Sequence, residues 1–129
     1  MKKLSLSLFS LLIFLSFTTL SVCNEKVISG KAKVLDGDTI KINKIKIRLF
    51  GIDAPEKDQI CKKVYLSFLI FNFQKDYKCG EQSTLALLEK LRDKEVKCII
   101  KKNKDRYKRN IGTCYIKNQD INSWLVKSG

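Results

Sequence analysis

The sequence predicts an α+β, mainly β fold: a five-stranded Greek-key barrel with one inserted helix and a short C-terminal helix, in a single domain. Three observations carry this expectation. Short runs in which apolar and polar residues alternate recur between turn signals. A longer stretch, Ser83 to Leu91, has apolar residues at helical rather than strand spacing. The chain has 129 residues, which suits one domain and one core.

Taken in order, Lys26 to Leu35 reads as a strand with a bulge at Gly30, and Asp36-Gly37 reads as a turn. Thr39-Ile40-Lys41-Ile42 and Ile45-Lys46-Ile47-Arg48-Leu49 both alternate, and Asn43-Lys44 between them suits a tight hairpin. Gly51 to Glu56 is a loop holding the only proline, Pro55. In the helix, Thr84, Leu87, Leu88 and Leu91 make the apolar stripe. Glu95 to Ile100 is a strand with Val96, Cys98 and Ile100 on one face, Lys101 to Asn110 a basic loop, and Ile111 to Ile116 a further strand. Asn122 to Lys127 begins the short helix, with Gly129 where a helix would stop. Short strands with one inserted helix in about 100 residues fit a barrel of the oligonucleotide-binding (OB) kind.

The N-terminus has a different character. Lys2 and Lys3 precede Leu4 to Leu20, which is nearly all Leu, Phe, Ile, Ser and Thr. This is the pattern of a secretory signal. We expect residues 1–23 to be that signal and residues 24–129 to be the domain. The alternatives are an uncleaved membrane anchor or a lipidated Cys23. Without residues 1–23 the chain keeps 24 basic and 13 acidic residues, a net charge of 24 − 13 = +11. That field favours polyanions, either nucleic acid or an anionic membrane surface.

An exported destination makes the cysteines readable as disulfides. Cys98 and Cys114 lie in two alternating runs joined by the basic loop, so adjacent strands would pair them. Cys61 and Cys79 then close the other loop. Each loop is about 17 residues and stabilises by roughly 3 kcal/mol in the chain-entropy model. There is no CxxC spacing and no histidine, so zinc, a histidine base and a Ser-His-Asp triad are set aside. Catalysis here would run on carboxylates, Arg, Lys, Tyr and a metal.

Two acidic turns bracket the first hairpin. Asp36-Gly37-Asp38-Thr39 precedes it, and Asp53-Ala54-Pro55-Glu56 follows it. Each alone is ordinary turn chemistry. Together they bring Asp38 and Asp53 to neighbouring ends of one sheet, where a hard cation with oxygen ligands would relieve their repulsion. Arg48 runs toward the same end, as an ordinary strand residue or as a forked donor for phosphate oxygens.

Asp-Gly-Asp-Thr39, Arg48-Leu-Phe-Gly-Ile-Asp53-Ala-Pro-Glu56 and Asp105-Arg-Tyr107-Lys-Arg109 resemble the three signature segments of the thermonuclease (staphylococcal nuclease) family, and Asn122 to Gly129 resembles its short second helix. The likeness covers roughly residues 30–129 apart from the 62–78 loop. It implies a calcium-dependent enzyme that hydrolyses DNA and RNA and leaves 3′-phosphates. By resemblance, Asp38 and Asp53 are the calcium ligands, and Ala54 gives the ion its backbone carbonyl. Glu56 orients or deprotonates the attacking water. Arg48 and Arg109 grip the phosphate. Arg106 and Tyr107 touch substrate from the basic loop. Exported relatives carry cysteines at positions resembling these four, in agreement with the 61–79 and 98–114 pairing.

Three departures stand out. Lys108 replaces a glycine usual in the family. Val64 to Phe73 is unusually apolar for a surface loop. The family normally continues through a third helix past the position of Gly129, so the reading is of a C-terminally short member. The expectation for the 64–73 loop is that it folds back over barrel surface, with a weak membrane-surface contact or a dimerising patch as the competing readings. The leading reading is a monomeric calcium-dependent nuclease acting outside the cytoplasm. Its rivals are a catalytically inactive nucleic-acid-binding OB barrel and a basic adhesion protein.

Overall fold

The computed structural model describes residues 25–129. The expected signal segment and the lipidation reading of Cys23 fall outside the described residues. The described chain begins with three antiparallel strands, β1 (Lys26–Asp36), β2 (Thr39–Ile42) and β3 (Ile45–Leu49). Asn43 and Lys44, at φ 47° and 68°, make the β2–β3 turn. Two left-handed residues in a two-residue loop match the twist of paired strands, and Asn tolerates that conformation better than most residues. The irregularity in β1 falls between Val34 and Asp36. Gly30, the expected bulge, instead pairs in register with Val96.

A second hairpin follows, β4 (Cys61–Phe68) and β5 (Phe71–Tyr77), and then α1 (Cys79–Leu91), β6 (Glu95–Lys104), β7 (Asn110–Ile116), the short β8 (Gln119–Asp120) and α2 (Ile121–Ser128). In the main sheet the strands run β3-β2-β1-β6-β7-β8, and a parallel β3–β7 pairing closes it. The five strands β1, β2, β3, β6 and β7 therefore form the closed barrel that the alternating runs predict. Closure removes the free edges that an open sheet would leave.

Alternation explains the core. Ile40, Ile42, Ile47 and Leu49 from the first hairpin meet Val96, Cys98, Cys114 and Ile121 inside the barrel. Cys98 and Cys114 stand directly opposite each other on β6 and β7, and their disulfide lies wholly buried. The Cys61–Cys79 disulfide joins the root of the β4–β5 hairpin to the first residue of α1. Two disulfides in so small a domain suit an oxidising compartment. Among the described residues no helix is long and apolar enough to cross a membrane.

Further expectations change. Strand β6 continues through Lys104, so the basic loop begins after that residue rather than at Lys101. Helix α1 starts at Cys79 rather than Ser83, and its buried face runs through Gly80, Leu87 and Leu91 while Leu88 is exposed. The helix rests on β1 along a narrow stripe, and Leu88 lies outside it. The apolar 64–73 segment does not fold back over the barrel. It belongs to the β4–β5 hairpin, whose side chains from Val64 to Phe73 are all exposed.

Helix α2 is placed from both ends of its first turn. The Asp120 side chain caps it by accepting from the Ser123 N–H at 3.0 Å. Buried Asn122 accepts from the Cys114 N–H at 3.0 Å and donates to the carbonyls of Phe50 at 2.9 Å and Gly112 at 3.3 Å. One side chain thereby ties α2, β7 and the chain leaving β3 together.

Candidate active site

The acidic turns and the basic loop meet at one end of the barrel. A cleft of about 630 Å³ there is lined by Asp36, Asp38, Lys46, Arg48, Asp53, Glu56, Asp105, Arg106, Tyr107 and Arg109. Every side chain singled out from the sequence lies in it except Ala54, which lines the adjoining groove. The convergence follows from topology. Asp38 immediately precedes β2, Arg48 is the last residue but one of β3, and Arg109 immediately precedes β7, the parallel neighbour of β3.

Arg48 sits at the centre. One arm of its guanidinium reaches Asp38 at 2.8 Å and the other reaches Asp53 at 2.7 Å. The second arm also donates to the carbonyl of Ile52 at 3.3 Å. Asp38 is only 5% exposed, and it also accepts from the Thr39 hydroxyl at 2.6 Å. Thr39 in turn accepts from Arg109 at 3.3 Å. A single chain of contacts thus links Asp53, Arg48, Asp38, Thr39 and Arg109.

Arg109 is aimed from below by Asp105, which takes its Nε at 2.6 Å. The other Asp105 oxygen accepts the backbone N–H groups of Tyr107 at 2.9 Å and Arg109 at 2.8 Å. Desolvation alone would raise the Asp105 pKa, but hydrogen bonds from the Arg109 side chain and backbone, its charge and the Tyr107 N–H hold it below the usual aspartate range. Tyr107 lies beside two guanidiniums, with Arg106 at 4.9 Å and Arg109 at 5.3 Å from its ring centre.

Glu56 faces a different environment. A hydrogen bond with Asp36 comes first in raising its pKa above the usual glutamate value, followed by the Asp36 charge, desolvation and the charge of Asp38, while Arg48 pulls the other way. A carboxyl shifted toward neutrality suits a group that exchanges protons.

Lys108 has φ 61°, so the position does require the left-handed conformation that a glycine would supply freely. The loop nevertheless keeps its turn, with the Lys108 N–H on the Asp105 carbonyl at 2.9 Å. Arg109 remains in the cleft. Lys108→Gly is expected to raise stability by about 0.5 kcal/mol, since relief of left-handed strain slightly exceeds glycine's entropic cost. Lys108→Val should lower it by more than 1 kcal/mol, roughly, because a β-branched side chain tolerates that region least. Urea midpoints measure both, and an unchanged midpoint for Lys108→Val would refute the strain.

Sequence reasoning assigned no role to Asp36, Thr39, Asp105 or Gly80. Asp36, Thr39 and Asp105 stand inside or beside the recognised segments, where their spacing alone could have raised them. Gly80 has no local signal. A Cβ there would lie 1.7 Å from the Glu56 carbonyl oxygen. Gly37 also proves to be more than a turn glycine, because a Cβ on it would stand 2.7 Å from that of Ala54. The first turn of α1 therefore lies against the backbone of the Glu56 turn, while Gly37 of the first acidic turn lies against the Ser83 and Ala54 side chains.

Among the described residues no three Asp, Glu, Cys or His side chains converge into a ready-made cation cage. The donor types suit a hard cation: Asp38 and Asp53 both reach the one Arg48 guanidinium, and the Ala54 carbonyl follows Asp53 directly, so the ligands these turns offer are oxygens.

A closed five-stranded barrel with carboxylates and guanidiniums gathered in one cleft at its end defines a small β-barrel protein of the oligonucleotide-binding kind. The family described as staphylococcal nuclease homologue matches residues 46–129, and the chain belongs to it. It is 38% identical over 104 residues to the succinoglycan biosynthesis protein ExoI of Rhizobium meliloti, covering 79% of this chain and 50% of that protein. It is 37% identical over 123 residues to an uncharacterized endonuclease of Haemophilus influenzae, covering 91% of this chain and 58% of that protein. The chain thus spans about half the length of the curated relatives it matches.

Proposed function

We propose that this protein is a calcium-dependent nuclease that hydrolyses phosphodiester bonds of DNA and RNA outside the cytoplasm, as a monomer. The observation that carries this reading is the single cleft in which Asp38, Asp53 and Glu56 face Arg48 and Arg109. Family membership and the endonuclease description of one relative support it. The two disulfides suit an exported site of action.

Asp38 and Asp53, with the Ala54 carbonyl, are the groups that would hold calcium. When bound, the ion would polarise the phosphodiester and offset its negative charge. Arg48 and Arg109 present planar forks that match phosphate oxygens, and they stabilise the charge added when the phosphorus becomes pentacoordinate. Asp105 and Thr39 keep Arg109 aimed. Glu56 takes a proton from the attacking water, the work a histidine base would do elsewhere. Arg106 and Tyr107 border the cleft where flanking nucleotide would lie, and Tyr107 offers a stacking face. The lysines of the barrel attract the polyanion without reading its sequence.

The test is cleavage of DNA by the oxidised protein with added calcium and with a chelator. Cleavage with calcium only, abolished in Glu56→Gln while DNA binding persists, is the expected result. Binding without cleavage in the wild type would instead identify an inactive nucleic-acid-binding barrel. Cleavage that survives the chelator would remove calcium from the reading.

A further inference from the structure

The β4–β5 hairpin takes no part in the cleft. Its register places Leu66 opposite Phe73 and Phe68 opposite Phe71. Cross-strand partners share a face, so four large apolar side chains line one side. Ser67 and Asn72 face each other on the opposite side, with the hydroxyl donating to the amide oxygen at 2.7 Å. Leu69 and Ile70 form the tip and are 85% and 87% exposed. Leu69 adopts φ 51°, a conformation usually left to Gly or Asn. An apolar side chain is thus kept at the tip despite local strain, a pattern associated with function.

We propose that this hairpin is a membrane-docking wedge that inserts its tip and apolar face into an anionic bilayer surface. This inference is independent of the chemistry in the cleft. A contiguous exposed apolar surface of this kind marks an interaction site in a soluble domain.

Charge placement selects the partner. No charged residue occurs from Val64 to Gln74. Cations gather at the root instead, where Lys63 stands opposite Lys75, on the same face as Phe73. Five strand positions separate Phe68 from Lys63, about 16 Å at ~3.3 Å per residue. Apolar side chains submerged by about 5–10 Å would leave these lysines at headgroup level, where their stems lie along the apolar boundary and their ammonium groups meet lipid phosphate. The net charge of +11 from residue 24 onward adds long-range attraction to the same surface. A strand of nucleic acid would call for cations interleaved with the aromatic rings, and here the two are segregated. Two copies packed face to face with roots aligned would oppose their Lys63–Lys75 pairs, which repel, and packed head to tail would set each pair against the partner's apolar tip. The Cys61–Cys79 disulfide fixes the hairpin root to α1, so a docked wedge would hold the barrel close to the surface.

The experiment uses the oxidised chain from Asn24, which contains every residue of the core. Sedimentation with equimolar phosphatidylglycerol–phosphatidylcholine vesicles should carry the wild type down, and pure phosphatidylcholine should carry down much less. Leu69→Ser/Ile70→Ser should lower partitioning to the anionic vesicles by at least about tenfold, with an unchanged Tm because both side chains are exposed. An Ile70→Trp probe should shift to shorter wavelength and be quenched by brominated acyl chains. Equal partitioning of wild type and double variant, or an unquenched probe, overturns the proposal. So does a double variant that keeps vesicle binding but loses single-stranded DNA affinity, or one that dissolves a dimer formed without lipid.

Discussion

Arg48→Lys is expected to lower calcium-dependent DNA cleavage by about 10²–10³-fold, which corresponds to roughly 2.7–4 kcal/mol for one transition-state donor. The formal charge is conserved, so a merely electrostatic role would predict a small change. The geometry predicts a large one. Arg48 spans Asp38 and Asp53 with two separate nitrogens, and the same fork would meet two phosphate oxygens once those carboxylates turn to the cation. An ammonium is a point donor on a shorter stem and cannot make both contacts at once. The loss should fall mainly on kcat, because the added charge exists only in the transition state. DNA affinity should change little, since many other cations contribute to it. Wild-type kcat in Arg48→Lys would remove Arg48 from the reacting centre.

Gly80→Ala should reduce both stability and activity, although Gly80 lies outside the cleft. Its Cβ would meet the Glu56 carbonyl oxygen at 1.7 Å, with the Glu56 carbonyl carbon and the Lys57 oxygen both at 2.7 Å. All three atoms are backbone, so no side chain can swing aside. Either α1 shifts or the turn carrying Glu56 does. That turn is held by the Gln59 N–H on the Glu56 carbonyl at 2.8 Å, and the Gly80 N–H reaches the Gln59 carbonyl at 3.2 Å. Overpacking of this kind costs about 3 kcal/mol, read as a lower urea midpoint. A shift of Glu56, the proposed general base, by about 1 Å can cost ~10²-fold in rate. Gly51→Ala is the contrast, because a Cβ there meets nothing within 4 Å and only φ 73° opposes it. If Gly80→Ala melts and cleaves like the wild type, the backbone contact between α1 and the acidic turn is wrong.

Much of the site is legible in the amino-acid sequence. Asp38, Arg48, Asp53, Glu56, Arg106, Tyr107 and Arg109 belong to three short segments that are legible through their resemblance to the family's signature segments, and all seven line one cleft. The pairing of Cys98 with Cys114 is legible too, because two alternating runs joined by one loop make neighbouring strands. The hairpin at 61–77 is not. Its turn uses Leu69-Ile70 in place of the usual Gly or Asn, and the register shift between Val64 and Leu66 breaks the alternation that would have marked a strand.

By itself the sequence determined what depends on near neighbours: the Asn43-Lys44 turn, the strand alternation that fills the barrel, and the segments that bear carboxylates and guanidiniums. Tertiary structure alone decided how distant segments meet. Closure through β3 and β7 sets Arg109 against Thr39 across 70 residues of chain. Contact between α1 and the acidic turns leaves no ready room for a Cβ at Gly37 or Gly80. Proximity of Asp36 raises the Glu56 pKa. The physical reason is range. Turn preference and side-chain periodicity act over a few residues, whereas these contacts arise only when a closed sheet fixes where each strand end must lie.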